Sequence, residues 1–144
     1  VIITYSEIVY DLRNIKKIVK NKNQFITFID RKWKTLWETK NKLETDSETL
    51  KINKKIILEL GKKTKDIKSV QARYVGLTKI SKDNLELIKK IYFIKLKKNP
   101  KKFLKIDMTN FFNLLIQNKF KLHYLQILGR WDEFDDEGDY KNYL

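Results

Sequence analysis

The sequence predicts an α/β domain around a parallel sheet, and three observations lead to this fold class. Short runs of β-branched and aromatic residues, typical of buried strands, alternate with stretches whose apolar residues recur at helical spacing. The chain has 144 residues, enough for one domain with a sizeable core. Hydrophobic residues make up 42% of the chain, which argues against disorder.

The first elements form a strand–helix–strand unit. Residues 1–4 and residues 25–29 are short apolar runs of the kind found in buried strands. Asp11 precedes the intervening segment and is placed to cap a helix. Four apolar residues of that segment fall on one helical face, namely Leu12, Ile15, Ile18 and Val19. A helix that joins two strands in this way implies that the strands are parallel.

The middle of the chain predicts a hairpin, a long strand and a long helix. Residues 49–60 contain two strand-like runs separated by two lysines, and residues 72–80 form a third run. Ser81 is placed to cap the helix that follows. The apolar residues of this helix at helical spacing are Leu85, Ile88, Ile91 and Tyr92.

A break at Pro100 separates that helix from a helix over residues 107–118. In the second helix, Phe111, Leu114 and Leu115 are expected to face inward. Residues 121–127 then alternate as a strand does, with Leu122, Tyr124 and Gln126 on one side and His123, Leu125 and Ile127 on the other. Because no repeat, linker or low-complexity segment divides these elements, we predict one domain over residues 1–144.

The net charge of +14 raises the possibility of nucleic-acid binding, because a basic surface gains affinity by releasing counterions from phosphates. Only four of the 32 basic residues are arginine, the residue that base and phosphate readers favour. The lysines are spread along the chain, together with many Asn, Ile, Tyr and Phe residues that A/T-rich codons encode. We therefore favour a solvated lysine surface and keep the nucleic-acid module as an alternative.

The composition excludes several kinds of functional site, because the residues that they require are absent from the chain. The chain has no cysteine and a single histidine, His123, so thiolate zinc sites and paired-histidine metal sites are excluded. The four scattered glycines form no phosphate-binding loop. No apolar run reaches the ~18 residues that span a bilayer, and the first residues (VIITY) are not expected to be a signal peptide, because no basic region precedes them. The first residue is Val within an apolar run, from which we expect the chain to be part of a longer protein.

Carboxylates remain as candidates for chemistry. Glu7 and Asp30 follow the first two strands of the predicted sheet, and ligands bind beyond the carboxyl ends of parallel strands. Further acids lie in loops, namely Asp46, Glu48, Glu133, Asp135 and Asp136. Oxygen ligands suit Mg²⁺ that bridges to a substrate phosphate, which residues 61–63 (GKK) are placed to bind. The alternative for acidic loops of this kind is that they are simply solvated.

Seven sequence blocks in order resemble a known enzyme class. They are TYSEIVY, IDRKWKTLWE, DSETLK, ELGKK, QARYVGLTKIS, DMTNFFN and WDEFDDEGDY. Together they resemble the second part of the nucleotidyltransferases that activate small phosphorylated compounds. Within that family they resemble the cytidylyltransferases of capsule, phosphocholine and phosphonate pathways.

The resemblance implies a Rossmann-like, three-layer α/β/α fold of the nucleotide-diphospho-sugar transferase type. The fold is expected to be partial, with an exposed sheet edge, because the Gly-rich nucleotide-binding part of the family is not in this chain. The implied reaction is attack by the acceptor phosphate on the α-phosphorus of a nucleoside triphosphate, with CTP the expected donor and pyrophosphate the leaving group. The implied cofactor is Mg²⁺, and the implied location is the cytoplasm, with no nucleic-acid or membrane partner.

The family pattern also assigns residues. Glu7 and Asp135 fall at its two metal-binding positions, and Lys63, with Lys62 beside it, falls where the acceptor phosphate is bound. The further substrate-binding candidates are Glu48, Tyr74, Gly76, Asn110 and Trp33. Trp33 with Trp37 is either a core-facing helix face or an aromatic wall for a quaternary ammonium group, and we favour the core. Gly76 permits either the close approach of a ligand or tight packing.

This sequence departs from the family pattern at two of those positions. Glu7 replaces an aspartate, which displaces the carboxylate by about 1 Å and can cost ~100-fold in rate. Asn110 also replaces an aspartate, which removes one charge. An inactive homologue that binds an acceptor or a partner protein is therefore an alternative to the enzyme. The acceptor itself stays open among sugar phosphates, phosphocholine, phosphorylated amino acids and phosphonates.

Overall fold

The computed structural model describes residues 1–143, which form eight strands and six α-helices. The strands are β1 (Ile2–Thr4), β2 (Ile8–Tyr10), β3 (Phe25–Asp30), β4 (Glu48–Asn53), β5 (Ile56–Lys63), β6 (Arg73–Ile80), β7 (His123–Gln126) and β8 (Trp131–Glu133). The helices are α1 (Arg13–Lys20), α2 (Trp33–Thr39), α3 (Lys82–Lys98), α4 (Pro100–Phe103), α5 (Met108–Gln117) and α6 (Glu137–Tyr143).

The central sheet has six strands in the order β1-β6-β3-β7-β5-β4. The pair β3–β7 is parallel, whereas β6 runs antiparallel to both β1 and β3, between which it lies. The strands β1 and β3 thus point the same way without being neighbours, and the predicted parallel sheet is corrected to a mixed one. The helical pattern between them identified the crossover, but local periodicity does not show that a strand from farther along the chain inserts between them.

The sheet is covered on both faces, which gives three layers. The central strand β3 is buried throughout, and its side chains alternate between two hydrophobic clusters. Phe25 and Ile29 pack with residues of α3 and α5, whereas Ile26 and Phe28 pack with residues of α1 and α2. A separate two-stranded sheet of β2 and β8 adds Ile8 and Trp131 to the second cluster. This arrangement follows from the period of two in a strand that is buried on both sides.

Side-chain caps set the starts of three helices. Ser81, as predicted, accepts a hydrogen bond from the backbone of Asn84 at 3.2 Å at the start of α3. Asp107 caps α5 through the backbone of Asn110 at 2.7 Å, and Asn99 caps α4. The predicted cap of α1 is wrong, because the carboxylate of Asp11 binds Arg13 and the helix begins without a side-chain cap.

Two helix faces differ from the prediction. In α1, Leu12 and Val19 are exposed, and Asn14 is buried beside Ile18 because its amide bridges to the backbone of Leu128 at 2.9 Å. In α5, Phe112 is buried with the predicted Leu115, whereas Phe111 and Leu114 are only partly buried.

A buried asparagine explains the orientation of α5. Asn113 accepts a hydrogen bond from the backbone N–H of Leu60 at 3.1 Å and donates to the carbonyl of the same residue. This pair of bonds fixes α5 against β5. A polar tether of this kind to another element cannot be read from the apolar pattern of the helix alone.

The strand β1 forms one edge of the central sheet. Val1 pairs with Ile80 through two backbone hydrogen bonds of 2.8 and 2.9 Å, yet its side chain is 62% exposed. Over the described part of the chain, no helix combines the length and the hydropathy needed to cross a membrane.

Candidate functional site

A cavity of about 560 Å³ lies where the β4–β5 hairpin, the start of β6, the start of α5 and the end of β8 meet. Five acidic and three basic side chains line it, with two tyrosines among the remaining residues. The lining residues are Tyr5, Asp46, Glu48, Gly61, Lys62, Lys63, Arg73, Tyr74, Asp107, Thr109, Asn110, Glu133 and Asp135. A cavity with several converging polar side chains is the default candidate for a ligand site, and this one is rich in acids although the protein has a net charge of +14.

The hairpin and α5 position the basic side of the cavity. Glu48 at the start of β4 stands opposite Lys63 at the end of β5. Gly61 has φ +73°, and a Cβ there would lie 2.2 Å from the Cβ of Thr109, so only glycine lets α5 approach β5 this closely. The amide of Asn110 donates to Asp107 at 2.7 Å, which holds both side chains at the rim.

Arg73 organises the acidic side. Its guanidinium donates to the backbone carbonyl of Asp46 at 2.7 Å and to the carboxylate of the same residue at 2.9 Å. The guanidinium also lies over the ring of Trp37, 4.1 Å from the ring centroid, and 3.6 Å from the carboxylate of Glu133. Because Arg73 is almost fully buried, its planar fork serves to fix the loop that carries Asp46.

Burial and crowding leave two of the carboxylates short of positive charge. Burial raises the pKa of Glu133 to about 7, and the nearby carboxylates of Asp135 and Asp46 add to this effect against the opposing charge of Arg73. Burial likewise raises the pKa of Glu48. A cationic ligand or a metal ion that entered the cavity would stabilise the ionised form of both groups.

Two lysines from the segment after α2 hold the C-terminal part of the chain, and we call Lys40 and Lys42 the lysine anchor. Lys40 is buried and lies 2.6 Å from the carboxylate of Asp132 and 3.5 Å from that of Asp139, and it also donates to the carbonyl of Glu133. Lys42 lies within 3.3 Å of three carboxylates, those of Asp135, Asp136 and Asp139. The lysine anchor therefore sets the position of Asp135 at the cavity.

Six of the predicted site residues line this one cavity, although they come from four different elements and one loop. They are Lys62, Lys63, Glu48, Tyr74, Asn110 and Asp135. Lys62 is half exposed and pairs with Glu59 at 2.8 Å, whereas Tyr74 is buried and meets Tyr5 edge to face. The roles assigned to these residues remain predictions.

The two predicted metal ligands, Glu7 and Asp135, lie on backbone segments that pair with each other, but their side chains differ in their surroundings. Pairing of β2 with β8 places Ile8 opposite Glu133, and the backbone N–H of Phe134 donates to the carbonyl of Glu7 at 2.8 Å. The ends of the chain thus meet as expected. The Glu7 carboxylate accepts a hydrogen bond from Ser6 at 2.8 Å and does not line the cavity, whereas Asp135 does.

Three further candidate residues, Trp33, Gly76 and Asp30, are engaged in packing or hydrogen bonds within the protein. Trp33 is 1% exposed inside the core, which contradicts the substrate-binding assignment and agrees with the favoured core face. Gly76 has φ +80°, and a Cβ there would lie 2.7 Å from the ring of Tyr5, so the close approach is that of a side chain. Asp30 is buried and bonded to Trp131 and Gln126, which leaves it unsuited to a metal ion.

The sequence reasoning missed Arg73, Tyr5, Thr109 and the lysine anchor. Arg73 did carry a signal, because it is one of four arginines in a lysine-rich chain and it begins a buried strand. Lys40 and Lys42 carried none, since 26 other lysines resemble them in sequence. Within residues 1–143, no three His, Cys, Asp or Glu side chains are grouped closely enough to hold a metal ion by themselves.

The fold is that of nucleotidyltransferases. The inositol-1-phosphate CTP transferase from T. maritima superposes with a TM-score of 0.65 at 12% identity, over 96% of this chain and 50% of that protein. A putative glucose-1-phosphate thymidylyltransferase from Bacillus anthracis gives a TM-score of 0.65 at 14% identity, over 97% and 51%. At these identities the two structures establish the fold alone, and they confirm the predicted partial fold.

Among curated proteins, the chain is similar to the CTP:phosphoglutamine cytidylyltransferase of Campylobacter jejuni subsp. jejuni serotype O:2. The two are 33% identical over 143 residues, which cover 96% of this chain and 56% of that protein. The match confirms the predicted resemblance to cytidylyltransferases. The chain spans about half the length of the proteins that it matches. No protein-family model matches it.

Proposed function

We propose that this chain supplies the acceptor-binding side of a nucleotidyltransferase that transfers a cytidylyl group from CTP to a small phosphorylated compound. The observation that carries the proposal is the cavity, which brings Lys62 and Lys63 together with the partly buried carboxylates of Glu48 and Glu133. The similarity to a CTP:phosphoglutamine cytidylyltransferase supports the choice of CTP as donor. We also propose that the protein is located in the cytoplasm and acts in capsule or cell-surface polysaccharide synthesis.

The lysine side suits the acceptor phosphate. Lys63 lines the cavity with an exposed side chain at the end of β5, and Lys62 beside it is held only by an exposed ion pair with Glu59. Exposed ion pairs of this type contribute little, about 0–1 kcal/mol, so Lys62 is free to turn towards a phosphate. Two ammonium groups bind a phosphate as point charges and orient its oxygen towards the donor.

The carboxylate side suits a positive charge on the acceptor. Glu48 and Glu133 both have raised pKa values because of burial, and Asp46 already has its partner in Arg73. An ammonium group between Glu48 and Glu133 would neutralise the two carboxylates that lack a full counter-charge. We therefore propose a phosphorylated amino compound, such as a phosphorylated amino acid, as the acceptor class.

The donor atoms at the edge of the cavity fit Mg²⁺ held in part by the substrate. Mg²⁺ in such sites commonly takes one or two carboxylates and completes its shell with phosphates and water, so a cluster of three acids is not required. Asp135, with a side chain 45% exposed, would supply one ligand. Glu7 would supply a second if its carboxylate left Ser6. When bound, the ion neutralises negative charge on the donor phosphates.

The residues of this chain then act by binding and orientation. An oxygen of the acceptor phosphate, held by Lys63 and Lys62, attacks the α-phosphorus of CTP as the bond to pyrophosphate breaks. Arg73 and the lysine anchor keep Glu133 and Asp135 in place at the same cavity. Positioning and neutralisation of charge account for most of the catalysis of such displacements.

The acceptor class is tested by calorimetric titration of the 144-residue chain. Phosphoethanolamine and O-phosphoserine should bind more tightly than glucose-1-phosphate by about tenfold or more, since an added ion pair in a buried site is worth at least ~1.4 kcal/mol. Glu48→Gln should remove the preference, whereas Glu44→Gln in an exposed loop should keep it. Equal binding of all three ligands would contradict the acceptor class.

The reaction is tested in a protein that has the full length of its relatives. Asp135→Ala should abolish Mg²⁺-dependent release of pyrophosphate from CTP and acceptor while circular dichroism stays unchanged. Retained release would contradict the assignment of Asp135.

An inactive homologue is the second candidate, and the surroundings of Glu7 favour it. Glu7 stands where the family has aspartate, and its carboxylate lies outside the cavity. Glu7→Asp in the full-length protein should raise the rate of pyrophosphate release if the site is only weakened. An unchanged background rate would support the inactive homologue.

A further inference from the structure

Half of the net charge of the chain lies in one sixth of its length. Residues 82–105 contain nine lysines and two acids, a net charge of +7 out of +14. These residues form α3, α4 and the turn after them, and eight of the nine lysines are exposed. Within residues 1–143, Lys89 is the one lysine of this set that forms an ion pair, with Glu86 at 3.2 Å. The remaining charge faces solvent without a partner in the described part of the chain.

Large apolar side chains stand among these lysines. Leu87, Phe93, Ile94 and Leu104 are between 49% and 72% exposed. The inner side of α3 packs against the hydrophobic core, where Ile88 is buried, so the exposed apolar residues lie outside that contact. Phe93 and Ile94 line one shallow apolar recess together, and large exposed apolar groups of this kind commonly mark an interaction surface. We refer to the exposed side chains of residues 82–105 as the α3–α4 surface.

We propose that the α3–α4 surface docks on an anionic lipid bilayer, with its lysines at the headgroups and its apolar side chains at the acyl boundary. Helices that lie on membranes combine these two features, lysine-rich polar positions and exposed aromatic or aliphatic residues. Each lysine near an anionic bilayer adds to the attraction, and the aliphatic stem of a lysine lies easily beside apolar groups. No membrane span is needed for contact of this kind.

The composition of the surface argues against other occupants. A second copy of the chain would bring one net charge of +7 against another, which is repulsive. Residues 82–105 contain no arginine, the residue that nucleic-acid interfaces use for planar contacts. Phosphate-backbone binding would also leave Phe93, Ile94 and Leu104 without a contact of matching chemistry. An anionic bilayer satisfies both the charge and the apolar groups.

Docking would bring the cavity close to the membrane. A recess of about 380 Å³ is lined by Lys102 and Lys105 from this surface and by Asp107 and Asn110, which also line the candidate site. The α3–α4 surface therefore adjoins the rim of the cavity. A surface enzyme of this arrangement would use its acceptor, or release its product, beside the bilayer.

The proposal is tested by flotation of the 144-residue chain with lipid vesicles. The chain should float with vesicles of phosphatidylcholine and phosphatidylglycerol and remain unbound with phosphatidylcholine alone, and added salt should weaken the binding. Substitution of Lys90, Lys97, Lys98 and Lys101 by Gln should weaken the binding by at least about tenfold. The matched control substitutes Lys34, Lys55, Lys65 and Lys68, which are exposed elsewhere, and should change it by less than about twofold.

A second variant separates insertion from charge alone. Phe93→Ser with Ile94→Ser keeps every charge and should weaken binding to the anionic vesicles by about tenfold. Equal losses in the two four-lysine variants, or no loss from the double serine variant, would show a diffuse attraction and overturn the proposal. Retention of duplex RNA that depends on the α3–α4 lysines, without vesicle binding, would assign the surface to nucleic acid and overturn it as well.

Discussion

Two pairs of lysines differ in burial and in partners: Lys62 and Lys63 line the cavity, whereas Lys40 and Lys42 hold acidic residues beside it. Lys40 and Lys42, the lysine anchor, contact acids from the end of the chain, and the side chain of Lys40 is 2% exposed. Lys62 and Lys63 end β5, and the side chain of Lys62 is 57% exposed. The anchor is saturated by four carboxylates, whereas the β5 pair has a single ion-pair partner, Glu59.

The comparison shows that burial and partner number, rather than charge, decide what a lysine does here. A buried lysine must keep its carboxylates, because an unpaired charge in the interior costs several kcal/mol. An exposed lysine contributes little to stability and can therefore be committed to a ligand. We thus expect substitutions in the lysine anchor to affect folding and substitutions in the β5 pair to affect binding.

The largest effect on stability is expected from Lys40→Met. Removal of the ammonium group leaves Asp132 and Asp139, with side chains 5% and 2% exposed, without their buried counter-charge. The free energy of unfolding in urea should fall by about 3–5 kcal/mol. The matched control Lys62→Met should change it by less than about 0.5 kcal/mol. Comparable losses in the two variants would remove the distinction between the pairs.

Glu133→Gln is expected to change the free energy of unfolding by less than Lys40→Met does, and the size of the change depends on pH. The folded protein holds the proton of Glu133 up to about pH 7, whereas the unfolded carboxyl releases it near its usual pKa of 4.5. The contribution of Glu133 to stability therefore falls as the pH rises from 4.5 to about 7. At ~1.4 kcal/mol for each pH unit in this window, the loss is about 3 kcal/mol.

Urea unfolding at several pH values checks this prediction. The Glu133→Gln variant should lack the decline and gain stability relative to the original protein as the pH rises from 5 to 8, by about 2–3 kcal/mol. The exposed Glu44 provides a control, and Glu44→Gln should leave the decline in place. Parallel stability curves for Glu133→Gln and the original protein would show that Glu133 is not desolvated.

Lys42→Met should have an intermediate effect. Asp135 and Asp136 are largely exposed and can be hydrated, and the buried Asp139 keeps Lys40 at 3.5 Å. We expect a loss of about 1.5–2 kcal/mol in the free energy of unfolding, the lower part of the range for one hydrogen bond to a charged group. A loss equal to that of Lys40→Met would mean that the two anchor lysines act as one unit.

Most helices and strands could be predicted from local sequence patterns, whereas the order of the strands in the sheet could not. The continuous apolar run of β3 and the apolar spacing in α3 identified those elements because each extends over several residues. The insertion of β6 between β1 and β3 depends on pairing between residues that are 43 to 77 positions apart, which no local pattern encodes. Asn14 and Asn113 show the same limit, since each is buried by a tether to a distant backbone.

The residues of the candidate site also fall into two groups, those that the sequence predicted and those that it did not indicate. Lys63, Asn110 and Asp135 were predicted as site residues because they fall in ordered sequence blocks, and the structure brings them to one cavity. Arg73 and Lys40 were not predicted as site residues. Each is buried in an ion pair with an acid that is distant in sequence, Asp46 and Asp132 respectively, and no local pattern indicates such a pair. Trp33 was correctly favoured as a core residue, because large aromatic side chains fill interiors more often than they line sites.

Lys63→Met should have the smallest effect on stability and a clear effect on binding. Lys63 is exposed at the end of β5 and faces Glu48 across the hairpin, so the free energy of unfolding should change by less than about 0.5 kcal/mol. Affinity for O-phosphoserine should fall by about tenfold or more, because one charge-assisted contact to the phosphate is lost. Lys65→Met, two positions along and outside the cavity, is the matched control and should keep the affinity within about twofold. Equal affinities for Lys63→Met and Lys65→Met would place the phosphate elsewhere and make the β5 pair an ordinary solvated surface.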